Sequence, residues 1–265
     1  MYRRVYAMLW LHVVRTSRYL WSLANWGVTE FMWIAIYILG ALAFTPEERY
    51  GDVVPTIFWA VIAWNMMSTA TWTIGNWIRF YINMGMFEEH ELADASHALF
   101  LTLRTLPALV ETIVAAVFVG VFLANVTNVE VLRASNPLLL GASLALILVM
   151  AILYSLSLAF LSMAAGSPAP LLDFLNFILF IVGGIAVPVS SLPEALRLVA
   201  ILTPYSHPAE LMRYASVGWT PYLGVYGEVL ASLAYIAFMG AMAWLIYRWA
   251  RGRALREGVK GIGRT

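Results

Sequence analysis

Cysteine is absent from the 265 residues. That excludes disulfides, thiolate metal sites and thiol catalysis. Charge is scarce as well. Asp, Glu, Lys and Arg together make up 12% of the chain, about half of the roughly 25% usual in a soluble domain. So few polar side chains cannot cover a soluble domain of this length. A soluble enzyme, a disordered chain and a fibrous protein are therefore excluded. Lysine is nearly missing: Lys260 stands alone among the 16 basic residues. The formal net charge is +1 and no long basic run occurs in the interior, which argues against a nucleic-acid partner. Neither a Gly-x-Ser-x-Gly elbow nor a Gly-rich Lys loop for phosphate is present, so no nucleotide-hydrolysing site is visible. The N-terminus lacks a compact apolar core ending at a small-residue cleavage site, and the first span is expected to stay in the mature protein.

What the chain has is apolar surface. Hydrophobic residues make up 62% and aromatic residues 14%, and mean hydropathy is +0.79. The composition is that of an integral membrane protein. A spanning helix needs about 20 mostly apolar residues. Phe31 to Pro46 is free of charge and extends back through Trp26 across Glu30. Val53 to Ile78, Thr112 to Val129 and Val229 to Tyr247 are uncharged too. The uncharged run from Ala134 to Leu172 has 39 residues, too many for one span, and Gly166-Ser-Pro-Ala-Pro170 breaks it. A fifth span then runs from about Pro170 to Val189. The reading is an all-α polytopic membrane protein of six transmembrane helices, forming one domain over residues 1–265.

Six spans put both termini on one side. The N-terminal segment carries Arg3, Arg4, Arg15 and Arg18. The basic tail, residues 248–265, carries Arg248, Arg251, Arg253, Arg256, Lys260 and Arg264. The loop between spans two and three adds Arg79 and Arg104, while Arg49, Arg133, Arg197 and Arg213 fall opposite. The positive-inside rule places both termini in the cytoplasm. Asn125-Val-Thr127 is a glycosylation sequon in an expected outer loop.

Two segments are neither spans nor ordinary loops. Residues 1–20 hold Val5, Leu9 and Val13 at helical spacing, with Arg4, His12 and Arg15 elsewhere on the wheel. This predicts an amphipathic helix on the cytoplasmic surface, where Tyr2, Tyr6 and Trp10 suit the interface. Residues 190–222 mix Glu194, Arg197, Glu210 and Arg213 with apolar residues between prolines. They predict two short helices, about 193–203 and 207–217, outside or dipping into the outer leaflet.

Residues that carry chemistry are few. Within the loop 79–104, Phe87, Glu88, Glu89, His90, Glu91 and Asp94 lie close together, followed by His97. Four carboxylates beside Met84, Met86 and Phe87 read as an acidic helix with an apolar anchor, suited to a soluble protein partner. An ordinary solvated helix fits the same pattern. His90, Asp94 and His97 at i, i+4 and i+7 would share a helix face, so a zinc hydrolase with Glu91 beside them is a rival reading. A non-catalytic membrane scaffold is another. On span two, Asn65, Thr69, Trp72, Thr73 and Asn76 fall on one face. That face suits either a substrate path or a seam between helices. Span five offers Asp173, Asn176, Phe180, Gly183 and Gly184. Glu30 and Glu111 enter spans one and three near their cytoplasmic ends, with Arg79 and Arg104 as expected ion-pair partners.

The layout resembles the type-2 ATP-binding-cassette (ABC) export permeases. A cytoplasmic helix precedes six spans, a charged helical loop follows span two, and two short outer helices precede the last span. The local resemblance lies in Val187-Pro-Val-Ser-Ser-Leu-Pro193, Leu202-Thr-Pro-Tyr205 and Glu210-Leu-Met-Arg213. It is similar to the drug-exporter branch's motif, here Pro188, Pro193, Pro204, Glu210 and Arg213. The family's usual Gly-Thr-Leu-Glu segment after span two is replaced by Glu89-His-Glu-Leu-Ala-Asp-Ala-Ser-His97. The resemblance implies a prokaryotic plasma-membrane permease paired with a second permease, identical or homologous. It implies no cofactor on this chain, with ATP and Mg on a separate ATPase. The loop 79–104 would couple to that ATPase through Phe87, Glu88, Glu89, His90, Glu91 and Asp94. The pathway would run along Asn65, Thr69, Trp72, Thr73, Asn76, Asn176 and Phe180. The cargo would be an amphiphilic drug, a lipid or a glycan.

Overall fold

A computed structural model describes residues 2–132, 134–165 and 176–258. Every secondary-structure element among them is helical. In chain order these are α1 (Tyr2–Ser17), α2 (Leu20–Leu42), α3 (Tyr50–Asn83), α4 (Met86–Leu92), α5 (His97–Thr127) and α6 (Pro137–Ala165), then α7 (Glu194–Ile201), α8 (Ser206–Val217) and α9 (Gly224–Glu257). Residues 176–181 are also helical. Four stretches are long and apolar enough to cross a membrane: Glu47–Asn83, His97–Thr127, Pro137–Met163 and Gly224–Glu257. α2 contributes a shorter apolar stretch, Gly27–Leu42. The molecule is a helical membrane protein. The Gly166–Pro170 break, Arg133, Asp173, Lys260 and Arg264 lie outside the described residues.

Local chemistry sets the helix ends. Gly85, at φ 70°, separates α3 from α4. Asp94, at φ 49°, separates α4 from α5; Asp is among the few side chains that tolerate this left-handed geometry. Ser96 caps α5 by accepting from the Leu99 amide at 3.3 Å. Asn136 caps α6 by accepting from the Leu139 amide at 3.1 Å, and Pro137 occupies the first helical position, where no donor is lost.

These stops redraw three expected boundaries. α5 begins at His97, so Arg104 belongs to a long helix and the linker around α4 is shorter than 79–104. α9 continues to Glu257, so most of the basic tail is helix. The fifth apolar segment was expected to reach Val189, but its helix ends at residue 181 and the chain turns at Gly184, φ 73°.

α3 is the central helix, packing on α2, α5, α6 and α8. Its contact with α6 uses small side chains, Ala63 and Ala70 against Ala151, and Ser155 Oγ donates to Thr71 Oγ1 at 3.3 Å. Small residues let helices approach closely where lipid removes the hydrophobic drive to associate. α8 is buried along nearly its whole length between α3, α6 and α9. It is thus packed into the bundle. On α1, Met8 packs on the core and His12 is buried, whereas Val13 faces out. His12, elsewhere on the wheel from Val5, Leu9 and Val13, finds a backbone acceptor on α5.

Candidate functional site

At one end of the bundle, α1, α4, the start of α5 and the end of α9 meet around Tyr81 of α3. Tyr81 is fully buried. Its hydroxyl lies 2.5 Å from His90 Nδ1 and also within hydrogen-bond reach of His97 Nδ1. His97 Nε2 faces a Glu91 carboxylate oxygen at 2.7 Å. Arg251 of α9 donates to both Glu91 oxygens, from Nε at 2.8 Å and Nη2 at 2.6 Å. One assignment of hydrogens satisfies every atom in the chain. His90 donates to Tyr81, Tyr81 donates to His97, and His97 donates to Glu91. The Arg251 fork holds the Glu91 carboxyl down to about 2. Burial, then the neighbouring His97, lowers His90 below the ordinary histidine range.

This network fixes α4 on three other helices and decides which of its residues face out. Phe87 does not. It is 2% exposed and stacks on His97, ring centroids 4.6 Å apart. Phe87, one of the three apolar side chains expected to anchor a partner, is therefore part of the core. His90 and Glu91 are bonded inward. Asp94 meets Arg4, whose Nη1 donates to the Asp94 carbonyl at 2.8 Å and lies 3.7 Å from its carboxylate. Glu88 and Glu89 are exposed, and Met84 provides exposed apolar surface beside them. His90, Asp94 and His97 do not share a helix face, because the left-handed turn at Asp94 intervenes. Among the described residues no cluster of three or more His, Cys, Asp or Glu could hold a metal.

Between α1, α2, α3 and α5 lies an open cavity of about 690 Å³. Trp33, Trp72 and Trp77 line it together with Glu30, Glu111, Arg15, Arg104, His12 and Thr73. Asn65 Nδ2 donates to Glu30 across the α2–α3 seam. The expected pairing of Glu30 and Glu111 with Arg104 is not made, because the Arg104 guanidinium stacks on Trp77, 3.4 Å from the ring centroid. The Arg79 side chain lies outside the described residues. His12 Nε2 donates to the Phe100 carbonyl at 3.2 Å. Its ring is driven down to about 4 by burial first, then by the Arg104 charge.

The polar face of span two divides three ways. Trp72 and Thr73 line the cavity. Asn65 and Thr69 are buried in the seam, with Thr69 Oγ1 3.4 Å from Thr112 Oγ1. The side chain of Asn76 lies outside the described residues. Phe180 is elsewhere, packing on Trp64 at 5.3 Å between centroids. Asn176 is buried, and neither of its side-chain polar atoms has a partner among the described residues.

At the opposite end the outer motif forms a buried polar knot. Arg213 donates to the Gly184 carbonyl at 2.6 Å, the Ile185 carbonyl at 3.0 Å and the Glu210 carboxylate at 2.6 Å. Glu210 in turn accepts from the Val189 amide at 3.0 Å and the Tyr222 amide at 3.3 Å. Pro188 and Pro193 precede the short turn and α7, and Pro204 lies in the turn before α8. His207 Nδ1 pairs with Glu228 of α9 at 2.7 Å. Sequence reading did not single out Tyr81, Trp77, His207 or Glu228. The cue was polar residues at helix positions one turn or more inside apolar segments.

No protein-family model matches the chain, and no curated protein matches it.

Proposed function

We propose that this chain is the membrane-spanning permease subunit of an ATP-driven ABC exporter. It works beside a second permease and a separate ATPase that carries ATP and Mg. Both termini are cytoplasmic in a prokaryotic plasma membrane, and six crossings alternate around the pathway. An amphiphilic drug-like, lipid or glycan cargo leaves the cytoplasm by alternating access.

The observation that carries this reading is α4. A seven-residue helix between two long apolar helices is held by Tyr81, His97 and Arg251 while presenting Glu88 and Glu89 outward. Hydrogen-bonded contacts to all three would let such a helix transmit a push to α3, α5 and α9 together. A free loop would absorb the same push. The aromatic, charged cavity beside it offers room for an amphiphile. The six crossings are supported by packing. Met163 near the end of α6 sits in the core cluster that contains Tyr81 and Phe87, while Gly184 lies at the opposite end, on the Arg213 knot. That separation supports a further crossing between them.

Co-expression with an ATPase encoded beside this chain tests the docking surface. Glu88→Lys with Glu89→Lys should abolish ATPase capture and stimulation while the permease still folds. Glu91 is unsuitable for this purpose, since its loss would disturb Arg251 and His97. Unchanged capture and stimulation in the double variant would overturn the assignment.

A further inference from the structure

The cation pair in the cavity has no acidic partner among the described residues. Arg15 of α1 lies 4.4 Å from the Trp77 ring centroid and 5.5 Å from that of Phe80. Arg104 of α5 lies 3.4 Å from the same Trp77 ring. Trp77 and Phe80 stack on each other at 4.5 Å. Two guanidiniums from different helices are thus gathered on one aromatic pair. Neither meets a carboxylate among the described residues, although the chain pairs Arg4, Arg213, Arg251 and Arg253 with acids. Buried Arg104 Nε has no hydrogen-bond partner among the described residues.

Aromatic stacking satisfies a guanidinium face and leaves its N–H edge for an oxyanion. Two such edges suit the spread oxygens of a phosphate. Charge along the cavity is also segregated. Glu111 stands seven residues beyond Arg104 on α5, about 10 Å deeper at the helical rise, and Glu30 lines the same cavity. An anion is attracted to the arginine level and repelled beyond it. Trp33 lines the cavity and is 55% exposed, and Met32 beside it is exposed as well. The cavity therefore continues onto apolar outer surface, where an acyl chain fits. Arg15 belongs to the helix that carries exposed Tyr6 and Trp10, side chains that suit the head-group level.

We infer that Arg15, Arg104 and Trp77 form a binding site for an anionic amphiphile, its phosphate on the two guanidiniums and its apolar tail leaving past Trp33. The site requires the membrane reading. It does not require an ATPase.

Native mass spectrometry of the full chain in an uncharged detergent tests this with phosphatidic acid, phosphatidylcholine and inorganic phosphate. Wild type should retain phosphatidic acid about tenfold better than phosphatidylcholine, an advantage that shrinks with added salt. Arg15→Gln, at an exposed position, should lose most of that preference without a change in melting. Arg15→Gln with Arg104→Gln should abolish it, and Arg104→Lys should keep a part. Equal retention of the two lipids by wild type would overturn the site. So would an undiminished preference in Arg15→Gln. Displacement of phosphatidic acid by millimolar inorganic phosphate would overturn the lipid assignment. A preserved lipid preference alongside failed ATPase capture would remove the exporter reading and keep the site. The reverse pair of results would do the opposite.

Discussion

Arg213 and Glu210 show how much a single buried pair can organise. Together they hold the Gly184 turn, the Val189 amide and the Tyr222 amide against α8. Removing one partner leaves a charge buried without compensation. Arg213→Met should therefore cost about 3–5 kcal/mol. Chemical denaturation in detergent would read this, and adding Glu210→Gln should recover part of the loss. Gly184 itself sits at φ 73°, with Ser206 Cβ 3.1 Å from where a Cβ would stand. Gly184→Ala should cost about 1–2 kcal/mol from the left-handed conformation alone. Tyr81→Phe deletes the hydroxyl shared by two histidines, and about 1–3 kcal/mol should be lost for the unsatisfied ring nitrogens. A variant as stable as wild type would mean that the relay is not intact.

One titratable contact of α1 is a histidine. His12 reaches the Phe100 carbonyl between Arg15 and Arg104, and its folded value near 4 lies below the ordinary 6.5. The folded state thus prefers the neutral ring. Docking of α1 should be complete above about pH 6.5 and weaken as pH falls toward 4, because unfolding or release then takes up a proton. Amide exchange across Tyr2–Ser17 at pH 7.5 and pH 5 would show it, with faster exchange at the lower pH. His12→Gln keeps a donor for Phe100 and should flatten the response. The Arg251–Glu91 part of the α4 anchor responds in a different window. The Glu91 carboxyl is lowered to about 2 from 4.5, so its hold on α4 persists above pH 4.5 and fades only toward pH 2. His90 and His97 are lowered by burial as His12 is, so the histidine contacts of α4 should weaken on acidification together with the docking of α1, while the Arg251–Glu91 fork persists.

The whole molecule has two ends of different character. One carries α1, α4 and the end of α9, joined by Arg4–Asp94 and Arg251–Glu91. The other carries α7 and α8 around Arg213. The absence of native cysteine makes this directly measurable. A single cysteine at exposed Glu88 and one at exposed Glu194 should react with an impermeant maleimide from opposite faces of sealed vesicles. Labelling from the same face would overturn the six-crossing arrangement. Most of α9 presents apolar side chains outward, including Tyr226, Leu230 and Phe238, as a helix facing lipid or a second copy does.

Membrane character was legible in composition, because burying or exposing apolar side chains depends on their chemistry and not on their partners. The short helices at α7 and α8 were legible as well, since prolines and local charge set their ends. The uses of polar residues were not. Phe87 reads as a surface anchor until His97 is found stacked on it, and Arg104 reads as the partner of a glutamate until Trp77 is found beneath it. His90, Asp94 and His97 have helical spacing, yet one backbone turn at Asp94 separates them. Periodicity within a segment reports which side chains share a face when the helix continues. Which group they meet is decided by other helices many residues away. Scarce charge pointed to the membrane; only tertiary contact determined which of those charges are bonded to one another and which two share the Trp77 ring.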